Sequence, residues 1–208
     1  MSITIILIGI TVAISFYSFN RIDLLKRLML NPYLIKTQGQ YYRFITSGFI
    51  HKDHSHLLWN MFSFYFFGTA VELYFDSLFG DVGVYYYIFL YLSAIVISDL
   101  PTYYKHQNNP GHNALGASGG VGSLIFVFIL LEPLQSICIY FALCMPGFLF
   151  GIGYMAYEYY QGKKGNDNIS HDAHLYGAAY GLLFCIAFYP SSLLSFYQQV
   201  SHWIETTL

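Results

Sequence analysis

Ser118 stands between Ala117 and Gly119 in the stretch NALGASGGVGSLIFVFILL, residues 113–131, where a polar, glycine-rich turn gives way to unbroken apolar chain. A serine hydroxyl is a poor nucleophile until a base within hydrogen-bond reach accepts its proton. His174, early in the last long apolar run, is the candidate base. Asp172 does not complete a triad, because residues two apart on a helix point in different directions. The expected chemistry is therefore that of a Ser118/His174 dyad. Acyl transfer also needs donors aimed at the developing oxyanion, each worth roughly 3 to 4 kcal/mol. His56 and Asn60 are four apart and share a helix face. The backbone N–H of Ser118 opens a helix, where free amides and the dipole favour negative charge.

The elements that must position these residues follow from hydropathy. The 208 residues are 56% hydrophobic and only 10% charged, with mean hydropathy +0.47, whereas soluble domains carry about 25% charged residues. An all-α membrane protein is expected. Six apolar runs of spanning length can be drawn, at about 2–19, 56–76, 81–99, 116–132, 136–158 and 171–190, since a helix needs roughly 17 to 25 residues to cross a bilayer. In alternation, the second, fourth and sixth start on one side. His56 and Asn60, Ser118, and His174 lie at those three starts, so hydropathy brings them to one depth. Gly116, Gly119, Gly120 and Gly122 begin the fourth run, and Gly177 and Gly181 form G-x-x-x-G in the sixth. Small residues let helix backbones approach closely in lipid, and so let the serine meet the imidazole.

The ordered set of these pieces resembles the rhomboid family of intramembrane serine proteases. The matching segments are YYRFITSGFIH (41–51), HLLWN (56–60), GTAVE (68–72), GASG (116–119) and AHLYGAAYG (173–181). The resemblance implies a six-transmembrane-helix rhomboid-like bundle. It implies Ser118 as nucleophile, His174 as general base and acid, and Asn60 and His56 as oxyanion stabilisers. It also implies Arg43 and Glu72 as structural supports of the first loop and second span. The implied reaction is hydrolysis of single-span membrane proteins in or near their transmembrane segments, without metal or cofactor, and the lipid bilayer is the other partner. A non-catalytic relative that binds transmembrane helices is the alternative, but it would have no need of both dyad residues.

The chain differs from the family pattern at two places. Tyr42 stands for the loop tryptophan, and Gly122 stands where an aromatic often packs on the catalytic imidazole. Something else must then hold the ring of His174. All nine basic residues, Arg21, Lys26, Arg27, Lys36, Arg43, Lys52, Lys105, Lys163 and Lys164, fall in the first, third and fifth connections. The positive-inside rule would make that side cytoplasmic; the resemblance implies instead a bacterial inner-membrane protein with its site open to the exterior.

The rest of the chain is expected to be a single domain over 1–208, with its core at about 41–190 and a surface amphipathic tail at 191–208. The first connection should be structured and partly interfacial, the second and fourth very short, and the fifth a short polar loop. Cys138, Cys144 and Cys185 read as buried small hydrophobes and not as a disulfide framework. His51, Asp53, His54 and His56 have metal-ligand chemistry, but loop histidines are expected to be solvated, and no H-E-x-x-H is present. His106, His112, His171 and His202 are expected in loops or the tail. The net charge of −2 favours no nucleic-acid partner.

Overall fold

The computed structural model describes residues 2–139, 142–164 and 170–207. It is mostly helical. Helix α1 (Ile3–Phe19) buries Thr4, Thr11, Ser15 and Ser18 and exposes Ile5, Ile10, Phe16 and Tyr17. That inside-out pattern suits a helix surrounded by lipid, where small polar residues make the helix contacts. Glu72 caps its start: the carboxylate accepts from the amides of Ile3 (2.6 Å) and Thr4 (3.0 Å) and the hydroxyls of Ser2 (2.7 Å) and Thr4 (2.6 Å). These amides are among the donors a helix N-terminus leaves unpaired. The expectation that Glu72 supports the second span thus takes the form of a tie to α1.

The first connection folds into α2 (Ile22–Leu28), α3 (Pro32–Gln38) and α4 (Arg43–Thr46), followed by a 3₁₀ turn, Ser47–Phe49. Asn31 caps α3 through Leu34 N–H at 2.8 Å. Buried Arg43 donates to the carbonyls of Lys26 (2.9 Å) and Met29 (2.7 Å) and to Gln40 Oε1 (2.6 Å). The connection is thereby pulled into one unit.

Helix α5 (His54–Ser63) runs through a π-helical segment, Phe64–Gly68, into α6 (Thr69–Phe79); a 3₁₀ turn leads to α7 (Gly83–His106). The stretch His54–His106 is the one helical stretch among the described residues that is by itself long and apolar enough to cross a membrane. Helix α7 outruns the expected third span, so His106 ends a helix and does not sit in a loop. Helix α8 (Ser118–Leu131) is buried on nearly every side, as an all-round apolar helix must be. The tightest packing is against α10 (His171–Phe188). A methyl at Gly177 would stand 2.3 Å from the Gly119 carbonyl oxygen, and one at Gly181 2.3 Å from that of Ser123. These two glycines therefore set how close the two backbones come.

The fifth apolar run departs from expectation. Ser136–Ile139 (β1) pairs antiparallel with Leu143–Pro146 (β2), with Cys138 opposite Cys144 and disulfide-bonded to it. Both cysteines are exposed, and only Cys185 is a free buried thiol. The physical reason lies in Pro133 and Pro146: a residue before proline is pushed out of the helical region, so the helix starts only afterwards, as α9 (Gly147–Lys164). The fourth connection is consequently longer than hydropathy suggested. The fifth connection lies partly in α9; its residues 165–169 are outside the described residues. The tail forms α11 (Ser191–Thr207), turned 111° from α10.

Candidate active site

The turn that delivers Ser118 to the start of α8 is strapped from below. Leu30 and Ala114 exchange both backbone hydrogen bonds, at 2.9 and 3.1 Å, and Gly116 N–H donates to Ser47 O at 3.0 Å. Gly116 has φ of 121°, a conformation that side chains rarely adopt. A methyl there would lie 2.7 Å from His56 Cε1, so the His56 ring rests directly against the turn. Ser118 and Gly119 line a small cavity with Ser98, Asp99, Ser170 and Ala173. His174 follows Ala173 on α10, and its side chain is 19% exposed.

The expected residues are brought together unequally. Ser118, Gly116, Gly119 and His56 converge with the start of α10. Asn60 is buried one turn after His56, and its Nδ2 donates to the His56 carbonyl on its own helix at 3.0 Å. Among the described residues no hydrogen bond joins Ser118 to His174; in unliganded enzymes such bonds are often long. Arg43 and Glu72 lie outside this cluster, in the ties described above. Asp172 points away, ion-paired with Lys105 at 3.3 Å, as helix geometry required.

His51 overturns its expected solvation. It is 0% exposed, its ring 4.9 Å from that of His56. Ala117 N–H donates to Nε2 at 3.4 Å, so Nδ1 carries the proton and donates to Ser15 Oγ at 3.0 Å. The serine hydroxyl in turn donates to Phe49 O at 3.2 Å. One neutral imidazole thus links α1 to the residue before Ser118. Burial, with the nearby His56 charge, pushes its pKa down to about 3, against a smaller opposing pull from Asp53. The unfolded chain, with an ordinary histidine pKa of about 6.5, binds the extra proton between those values. Stability from this site is therefore full above pH 6.5 and lost as pH falls toward 3. Tm measured in detergent is expected to drop from pH 7.5 to 5, and His51→Gln, which cannot titrate, should have a flatter profile. An equally steep profile in the variant would refute this origin.

Two ionisable residues escaped the sequence reading. Asp99 accepts from Ser47 Oγ at 3.4 Å beside the cavity. Glu158, 5% exposed on α9, accepts from His171 Nδ1 at 2.6 Å and His174 Nδ1 at 3.1 Å. His171 is accordingly a buried residue of α10 and not a loop histidine. The signal was present, since an ionisable residue at the end of an apolar run is costly in lipid and marks function by default. The ligand atoms of Glu158, His171 and His174 lie within 4.8 Å of one another, a spacing that could hold one metal ion.

A serine at the N-terminus of one helix, packed across a glycine contact against a histidine-bearing helix around an apolar core, is the arrangement that the comparisons place in a family of membrane proteins. The Rhomboid domain family matches residues 38–191, and the chain belongs to that family. It is similar to RHOMBOID-like protein 12, mitochondrial, from Arabidopsis thaliana, at 30% identity over 169 residues, which cover 74% of this chain. The match spans 49% of that relative's length.

Proposed function

We propose that the chain is an intramembrane serine endopeptidase with six spans, formed by α1, α5–α6, α7, α8, α9 and α10. The observation that carries this reading is the approach of α8 to α10 through Gly177 and Gly119, with Ser118 and Ala173 lining one cavity. Helix α8 has 14 residues, about 21 Å at 1.5 Å per residue, against a hydrocarbon core of about 30 Å. If its far end reaches the opposite interface, Ser118 lies below the membrane surface. The cavity around it is lined by the polar side chains of Ser98, Asp99 and Ser170, which suits it to the water that hydrolysis needs.

In the reaction, Ser118 Oγ attacks the scissile carbonyl carbon while His174 takes the hydroxyl proton. The oxyanion is met by the backbone N–H of Ser118 and by His56, and by Asn60 once its amide leaves the His56 carbonyl. His174 returns the proton to the departing amine. Water, deprotonated by His174, then cleaves the acyl-enzyme and restores the serine. The substrates are single-span membrane proteins. The test is fluorophosphonate labelling and reporter cleavage by the purified protein, with Ser118→Ala and His174→Ala as comparisons. Labelling that persists in Ser118→Ala would defeat the proposal; a helix-binding, non-catalytic protein would show neither labelling nor cleavage in wild type.

Two observations support an orientation opposite to the usual exterior opening. The nine basic residues lie on the active-site side, which the positive-inside rule assigns to the cytoplasmic type of compartment. The Cys138–Cys144 disulfide lies in the connection on the other side, and disulfides persist in oxidising compartments. Lys163→Cys is expected to resist a membrane-impermeant maleimide in intact cells and to label after permeabilisation. Labelling before permeabilisation would reverse the assignment.

A further inference from the structure

We propose that Glu158 is the positioning residue for His174, fixing the tautomer and direction of the imidazole so that Nε2 is the nitrogen offered to Ser118. The inference rests on the reading of Ser118 and His174 as a catalytic pair. An ionised carboxylate only accepts hydrogen bonds, so the 3.1 Å contact from His174 Nδ1 to Glu158 Oε1 requires the proton on Nδ1. The neutral ring then carries its lone pair on Nε2. The other oxygen, Oε2, accepts from His171 Nδ1 at 2.6 Å. With one oxygen held by each of two histidines three apart on α10, the carboxylate cannot swing away. Glu158 is 5% exposed, so little water competes for these bonds.

This arrangement answers the question raised by Gly122. A methyl there would lie 3.7 Å from the His174 carbonyl oxygen, so α8 meets the main chain of His174 and offers no ring to its imidazole. Support comes from α9 instead. Asp172, the nearest acid in sequence, is committed to Lys105 at 3.3 Å. The same three side chains could chelate a metal ion, but both Nδ1 atoms already stand at hydrogen-bond distance from separate carboxylate oxygens, which accounts for their placement without one.

The test uses the full chain in lipid discs. Histidine-selective ¹⁵N NMR, with His174 assigned by its loss in His174→Asn, is expected to show the Nδ1–H tautomer in wild type and a mixture in Glu158→Gln. In reporter cleavage, Glu158→Gln should lower kcat on the order of 100-fold with KM little changed, because an orienting partner acts through the base. Glu158→Asp, which keeps the charge, should recover part of the loss, and EDTA should leave the wild type unaffected. An Nε2–H tautomer in wild type, a Glu158→Gln kcat within about twofold of wild type, or activity lost to EDTA would overturn the proposal. If Glu158→Gln does not fold, the wild-type tautomer and Glu158→Asp still decide it. If the wild type neither labels nor cleaves, the protease reading fails, while the NMR result still decides whether Glu158 sets the ring.

Discussion

Ser118→Ala is expected to lower the rate of reporter cleavage by on the order of 10⁴-fold or more, and to abolish fluorophosphonate labelling, because no other group replaces the lost nucleophile. His174→Ala should cost a similar factor, since a serine without its base is hardly more reactive than water. The double variant should be scarcely worse than either single one. Residues that act as a unit are non-additive in this way, and the double variant therefore separates a working dyad from two independent packing positions. Multiplicative losses would count against the dyad. Fold must be retained in each case: Ser118 lies at the cavity wall, whereas His174 is a partner of the buried Glu158 carboxylate, so thermal unfolding is measured beside cleavage for both variants.

The second large effect is structural. Gly177→Val should disable the protein, because the added Cβ would stand 2.3 Å from the Gly119 carbonyl oxygen and 2.9 Å from its Cα. Those are main-chain atoms of the residue after Ser118, so relief requires the two helices to move apart. Overpacking of this kind costs about 1 to 3 kcal/mol, sometimes more. A displacement of about 1 Å between nucleophile and base can cost on the order of 100-fold in rate. Gly153→Val on α9 is the control, since a Cβ there meets nothing within 4 Å. Thermal unfolding and reporter cleavage measured together should show loss in Gly177→Val and near wild-type behaviour in Gly153→Val. Equal behaviour of the two would mean that the close helix approach is not what holds the site.

Much of this protein is legible in its sequence because the signals are local. Apolar runs outline α1, α5–α6, α7, α8 and α10, and the motif segments carry the family membership. Helical spacing alone excludes Asp172 as the partner of His174, and the glycine pair at 177 and 181 announces a close contact before its partner helix is known. The fifth run was misread because hydropathy cannot distinguish an apolar strand from an apolar helix. Two prolines and a cysteine pair turned nearly the first half of it into a hairpin.

What only the tertiary structure decided is how each helix is rotated about its axis and what it meets there. Glu158 lies 16 residues before His174, and His51 lies 66 before Ala117; neither meeting has a periodic signature. The sequence determines that an ionisable residue sits in an apolar segment. Its partner depends on helix rotation and packing, and those are settled by small-residue contacts and buried hydrogen bonds between segments far apart in the chain.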